Sequence, residues 1–247
     1  MHTVAIRHAV ILDVLLLHPT PARAMSRSNT LNNVLTGTLV LCAILVTGAV
    51  TKQTFFPRRA IAAAALPAPR TITGWEKLAD EGNVVGGQTS PLKIVYFSDF
   101  QCPYCADLRL ALDTLQARHP RQIQVVYRHF PVPGHVFARD AAVASECAAQ
   151  QGRFDPYHAA LFQHQDSLGA IPWVRIAVES SVPDTARFQR CRTEPWAAGR
   201  VAADEKMAQS LGITGTPSII IGDELVAAAL PVDSLSAWLT RRGATLR

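Results

Sequence analysis

A run of β-forming residues, Lys93-Ile94-Val95-Tyr96-Phe97-Ser98-Asp99-Phe100, leads almost directly into Cys102-Pro103-Tyr104-Cys105, and a helical pattern leaves that motif at once. This junction constrains the chain more than any other feature. The β-branched and aromatic residues before it favour an extended backbone. Leu108, Leu112 and Leu115 after it recur at helical spacing until His119-Pro120 ends the pattern. Gln122 to Phe130 then reads as a second strand. Two strands joined through one helix are expected to lie parallel, with a right-handed crossover. The chain must therefore build an α/β core with two cysteines at the start of its first crossover helix.

The remainder divides unevenly. Val136 to Gln151, Pro156 to His164, Pro172 to Ser180, Asp184 to Arg192 and Pro195 to Leu211 read as successive helices, punctuated by Gly152, Gly169, Pro183 and Gly212. Strand character returns at Pro217 to Ile221, and a Gly222-Asp223 turn leads into a short partner at Glu224 to Ala227. A closing helix spans about Val232 to Arg242, basic at its end as the helix dipole prefers. Strands sit at both ends of this region and helices between them, so a helical insertion interrupts the core. With 49% apolar and 17% charged residues, the 247-residue chain can bury such a core.

The spacing of Cys102 and Cys105 places the first sulfur at a helix N-terminus. Unsatisfied backbone N–H groups and the dipole stabilise a thiolate there, and the thiolate is the reactive form. Cys105, one turn further in, is near enough to close a disulfide with Cys102 or to resolve a mixed disulfide. Pro103 suits the first helical turn, where no donor is needed. The competing reading is metal binding, for which this motif is half a zinc site. No second pair or close His pair completes it: Cys147 and Cys191 stand apart, and the nearest His is His119.

A net charge of +5 invites a nucleic-acid partner, but its distribution argues against one. Residues 1–70 hold seven basic residues against Asp13 alone, whereas residues 71–247 hold 17 basic against 18 acidic. The excess flanks an uncharged apolar stretch, residues 31–50, that at about 1.5 Å per residue reaches the thickness of a bilayer core. A transmembrane helix or signal segment is expected there. A retained anchor is favoured, with cleavage near Thr47-Gly48-Ala49 as the alternative. Residues 1–30 form a tail whose true start is expected at Met25, and residues 51–71 form a Pro/Ala-rich linker.

Phe97-Ser98-Asp99-Phe100-Gln101-Cys102-Pro103-Tyr104-Cys105 and Gly215-Thr216-Pro217-Ser218 together resemble the DsbA-like branch of the thioredoxin superfamily, particularly its membrane-anchored members. Arg128-His129-Phe130-Pro131 and Cys147 to Phe154 extend the resemblance, which covers roughly residues 72–242. It implies a thioredoxin fold with an inserted all-helical domain, preceded by the N-terminal segment. The thioredoxin-like part would comprise residues 72–134 and 212–247, and the insertion residues 135–211. The resemblance further implies a cis peptide at Thr216-Pro217 beside Cys102, where the Thr216 backbone pairs with an extended substrate; a plain turn is the alternative. It also implies a structural disulfide between Cys147 and Cys191, against the alternative of two buried free thiols.

Two departures bear on chemistry. Strong oxidases of this family carry His in the third motif position, where this chain has Tyr104. The buried carboxylate that many relatives place six residues before the first cysteine is replaced by Tyr96. Asp99 is nearer and is read as tuning the motif, by proton transfer or by stabilising the turn. His129, His135, His158 and His164 are expected mostly at the surface or as caps, and the four tryptophans in core or seam positions.

The function expected is thiol–disulfide exchange on unfolded or reduced client proteins, with Cys102 attacking and Cys105 resolving. The catalytic domain would lie in the periplasm, or otherwise outside the cytoplasmic membrane. Reoxidation would come from a membrane quinone-linked partner of the DsbB or vitamin-K-epoxide-reductase type. A membrane reductant would serve the alternative of reduction or isomerisation. No metal ion or organic cofactor is assigned, because the cysteine pair is the redox carrier. The rival from another class is an anchored module that binds copper(I) through the dithiol.

Overall fold

The structure, a computed structural model, describes residues 34–44, 68–86, 90, 92–243 and 246. The chain divides into two units, Met1–Ala64 and Ala65–Arg247. In the first, residues 34–44 form a helix, α1, with Val34, Leu35, Leu39, Val40, Leu41 and Ile44 exposed. Among the described residues no helix is long and apolar enough to cross a membrane. The rest of the expected anchor, Met25 and most of the linker lie outside the described residues.

The second unit carries a six-stranded sheet in the order β1-β6-β5-β3-β4-β2. Its strands are β1 (Arg70–Thr71), β2 (Asn83–Val85), β3 (Leu92–Ser98), β4 (Ile123–His129), β5 (Ser218–Ile221) and β6 (Glu224–Val226). β3 and β4 pair in parallel, as the single-helix crossover requires, and the other neighbours are antiparallel. The crossover is α3 (Pro103–Arg118), which buries Cys105, Leu108, Leu112 and Leu115 along one stripe. α2 (Trp75–Glu81) precedes β2, and α9 (Val232–Arg241) closes the chain.

β3 reads as an unbroken apolar run because both of its faces are covered. Ile94 and Tyr96 join a core with α3 and the inserted helices, while Val95 and Phe97 join a second core with Leu78 of α2 and Ile213. Between β4 and β5 come α4 (Ala138–Ala149), α5 (Phe154–Gln163), α6 (Trp173–Glu179), α7 (Thr185–Cys191) and α8 (Pro195–Ser210). Cys147 of α4 and Cys191 of α7 are joined by a disulfide, with an S–S distance of 2.00 Å.

The helices and strands expected from Lys93 onward are present within about two residues of their expected ends. The first three elements of the sheet region are a different matter. β1 lies inside the segment expected as linker: Arg70 and Thr71 pair with β6, and the Arg70 guanidinium donates to the Leu211 carbonyl at 2.7 Å. α2 and β2 carry no pattern that separates them from a loop. β2 exists because β4 presents it an open edge, and its three residues pair with Val125, Val126 and Tyr127.

Candidate active site

Cys102 is the N-cap of α3, with an extended backbone, and Pro103 occupies the first helical turn. The Cys102 carbonyl accepts from the backbone N–H of Cys105 at 3.0 Å and of Ala106 at 3.3 Å, which begins the helix. Its sulfur is therefore held where free N–H groups converge. Across from it, the Cys102 thiol donates to the carbonyl oxygen of Thr216 at 3.4 Å. The Thr216-Pro217 peptide is cis, and the Ser218 hydroxyl donates to the Gly215 carbonyl at 2.9 Å, tying the loop to the start of β5.

The two sulfurs differ in environment. Cys102 keeps 5% of its surface exposed, at the rim beside exposed Tyr104, and Cys105 keeps none. Both are free thiols in this structure. The hydrogen bond from Cys105 lowers the Cys102 thiol most, burial opposes it, and hydrogen bonds involving Thr216 and the Cys105 and Tyr104 backbone add to the lowering. The net result is about 6. Cys105 moves the other way: burial pushes it well above the usual thiol range, reinforced by the hydrogen bond and charge of Cys102. One sulfur is thus poised as a thiolate and the other stays protonated until it reacts.

Asp99 organises the turn before the motif. Its Oδ1 accepts from the Gln101 backbone at 2.7 Å, an Asx turn, while Oδ2 accepts from the Val132 backbone at 2.8 Å and meets His135 Nδ1 at 2.7 Å. Gln165, in a 3₁₀ turn after α5, donates from one amide nitrogen to the Phe100 carbonyl at 2.7 Å and the Cys102 carbonyl at 3.1 Å. The insertion therefore grips the backbone of the motif directly.

Comparison with known proteins places this geometry. The family described as Thioredoxin matches residues 79–241. The chain belongs to the thioredoxin family. A thioredoxin-like oxidoreductase from Silicibacter pomeroyi is 30% identical, with 69% of this chain and 98% of that chain covered and a TM-score of 0.58. The thiol-disulfide exchange protein alpha-DsbA2 from Wolbachia pipientis is 18% identical, with 68% and 92% covered and a TM-score of 0.54. The fold of this thioredoxin-family chain is similar to both. Among curated proteins, a Na(+)/H(+) antiporter NhaA 3 from Salinispora tropica is 31% identical over 169 residues, 68% of this chain. The chain spans about a quarter of the length of the curated relatives it matches, 26% in that case.

The structure brings Cys102, Pro103, Cys105, Asp99, Thr216 and Pro217 of this thioredoxin-family chain together, with Tyr104 at the rim. Cys147 and Cys191 stay apart, joining α4 to α7 within the insertion. The expectation for the histidines needs correction. His129 and His158 are completely buried: the Tyr96 hydroxyl and His158 Nε2 lie 2.8 Å apart, and His129 Nε2 lies 2.9 Å from Glu146 Oε1. Both sit on faces that the insertion covers, which no local pattern reveals. His135 joins Asp99 as described, and His164 pairs with Glu179 at 2.8 Å. Gln165 belongs to no motif and His135 is expected at the surface or as a cap; only the chain path carries Gln165 to the Cys102 carbonyl and His135 to Asp99.

Proposed function

We propose that this protein catalyses thiol–disulfide exchange on reduced or unfolded client proteins outside the cytoplasmic membrane, in the direction of disulfide formation. A client thiolate attacks Cys102 Sγ of the Cys102–Cys105 disulfide, and Cys105 leaves with the electron pair and takes up a proton. A second client thiolate then attacks the client sulfur of the mixed disulfide, forms the client disulfide and releases Cys102 as a thiolate. Asp99 holds the turn that presents Cys102, and the Thr216 backbone beside it docks the extended client. Pro103 and Tyr104 set the first turn of α3. The Cys147–Cys191 bond serves a structural role.

The observation that carries this reading is the seat of Cys102 at the N-terminus of α3 with its sulfur 3.4 Å from the Thr216 carbonyl of the cis-proline loop, a setting that draws the thiol down to about 6. A thiolate stabilised in the dithiol form makes the disulfide form the readier donor. A quinone-linked membrane oxidase of the DsbB or vitamin-K-epoxide-reductase type would restore the disulfide, and an N-terminal anchor would keep the two in one membrane.

The test is the reduction potential of the pair, equilibrated against glutathione. The expected value lies on the oxidising side of about −200 mV; a value near about −270 mV, where thioredoxin reductants sit, would overturn the oxidative direction.

A further inference from the structure

We propose that Gln165 is a positioning residue for Cys102: reaching in from the helical insertion, its side-chain amide fixes the angle between the reacting sulfur and α3, and so sets the balance between the dithiol and disulfide forms. The proposal rests on the exchange reading above, in which Cys102 leaves the mixed disulfide as a thiolate and must be held as one.

The lever is a single torsion. The sulfur hangs from the Cys102 Cα, whereas the N–H groups at the start of α3 follow the bond from that Cα to the carbonyl carbon. Turning about this bond, whose ψ stands at 119°, changes how the sulfur faces those groups while the helix itself stays intact. The Cys102 carbonyl oxygen lies in the peptide plane that turns, so whatever holds the oxygen holds the angle. Within α3 it accepts from the backbone N–H of Cys105 at 3.0 Å and of Ala106 at 3.3 Å. Those donors turn with the helix and cannot fix it against anything outside.

Gln165 is the outside hold. Half-buried in the 3₁₀ turn Gln165–Ser167 that follows α5, it donates from Nε2 to the Cys102 carbonyl at 3.1 Å and to the Phe100 carbonyl at 2.7 Å. Two carbonyls facing one terminal amide require its nitrogen, with a proton for each. The strand side and the helix side of the motif are thereby pinned to one point. That point is itself anchored: Phe162 of α5 packs on the Phe100 ring with centroids 5.2 Å apart, and His164, next to Gln165, pairs with Glu179 of α6 at 2.8 Å. The side chains of Asp99 and Gln101 accept from a different stretch, the backbone of Val132 and Phe137.

The torsion matters to the chemistry because the Tyr104 and Cys105 backbone N–H groups are among those that lower the Cys102 thiol. Both belong to the turn whose angle Gln165 sets. Without the amide the turn swings, the N–H groups lose their aim, the thiolate loses stabilisation and the disulfide form gains on the dithiol.

The test uses the full chain, in detergent and carrying Cys42→Ser, against two variants. Gln165→Met keeps length and bulk but donates nothing, and Gln165→Ala removes the reach altogether. Each protein is equilibrated with reduced and oxidised glutathione near neutral pH, the dithiol fraction being read by alkylation and mass, and the Cys102 midpoint is followed with iodoacetamide. A control, Cys147→Ala with Cys191→Ala, loosens the insertion and leaves Gln165 in place.

Both Gln165 variants are expected to move the midpoint upward and to favour the disulfide form about fivefold over the parent, the weight of one net hydrogen bond. The control is expected to melt lower with midpoint and equilibrium unmoved, a separation that a merely structural role would not give. Gln165 variants that match the parent, or a control that shifts as far as they do, overturn the positioning role. A parent whose Cys102–Cys105 pair ignores the glutathione ratio overturns the exchange reading itself, and the iodoacetamide midpoint then still judges Gln165.

Discussion

At Cys102 three influences compete, and their balance decides the reactivity of the protein. The Cys105 hydrogen bond and the Thr216 contact lower the thiol, burial raises it, and the outcome is about 6 against an ordinary 9.0. Alkylation of the reduced protein by iodoacetamide is therefore expected to titrate with a midpoint of about 6, with Cys105 unlabelled. Cys105→Ala removes the largest lowering influence and should move that midpoint upward. The sign for stability follows from linkage. A depressed acid favours the folded dithiol above the unfolded thiol's pKa, and the gain is lost as pH falls through about 6. Thermal melts of the reduced form at pH 8 and pH 5, set against the disulfide form, check it; a reduced form that gains on the oxidised one toward acid contradicts it. The cysteine pair and the Thr216-Pro217 step could be picked out from the chain because each signal occupies a few consecutive residues. His135 and Gln165 could not, since Gln165 reaches the Cys102 carbonyl across 63 residues of chain.

Between elements, the seam that matters most joins β4 to α8. The Arg128 guanidinium, 1% exposed, donates to Asp204 Oδ1 at 2.9 Å, and Asp204 Oδ2 accepts from the His129 backbone at 2.9 Å. This carboxylate therefore closes a gap in the edge of the sheet and neutralises a buried cation at once. Asp204→Ala leaves Arg128 uncompensated in the core and is expected to cost about 3–5 kcal/mol, measured by urea unfolding. A cost under about 1 kcal/mol would show that Glu81, 3.8 Å from Arg128, takes over. The long amphipathic helices were legible from their spacing, whereas β1 and β2 were not. Two or three residues hold no period, and their structure comes from the strand beside them.

For the whole molecule, the disulfide between Cys147 and Cys191 spans 44 residues of the insertion. Closing a loop of that length removes enough freedom from the unfolded chain to contribute about 4 kcal/mol, less any residual structure in that state. Replacing both cysteines by Ala should lower the melting temperature while leaving the Cys102 midpoint unchanged, since no part of the bond touches the motif. A shifted midpoint would mean that the insertion bears on the thiol through more than the Gln165 grip. The sequence by itself determined the α/β core, the place of the helical insertion and which sulfur stands at the start of a helix, because a cysteine at a helix N-terminus after a buried strand needs only its own neighbours. Tertiary structure alone decided which polar groups are buried behind the motif. Ser98, His129, His158 and Glu146 are scattered over four elements, and none shows by pattern that it is buried. They meet because sheet register pairs β3 with β4 and the insertion covers that face, and in a dry interior every polar atom's chemistry depends on which others it meets.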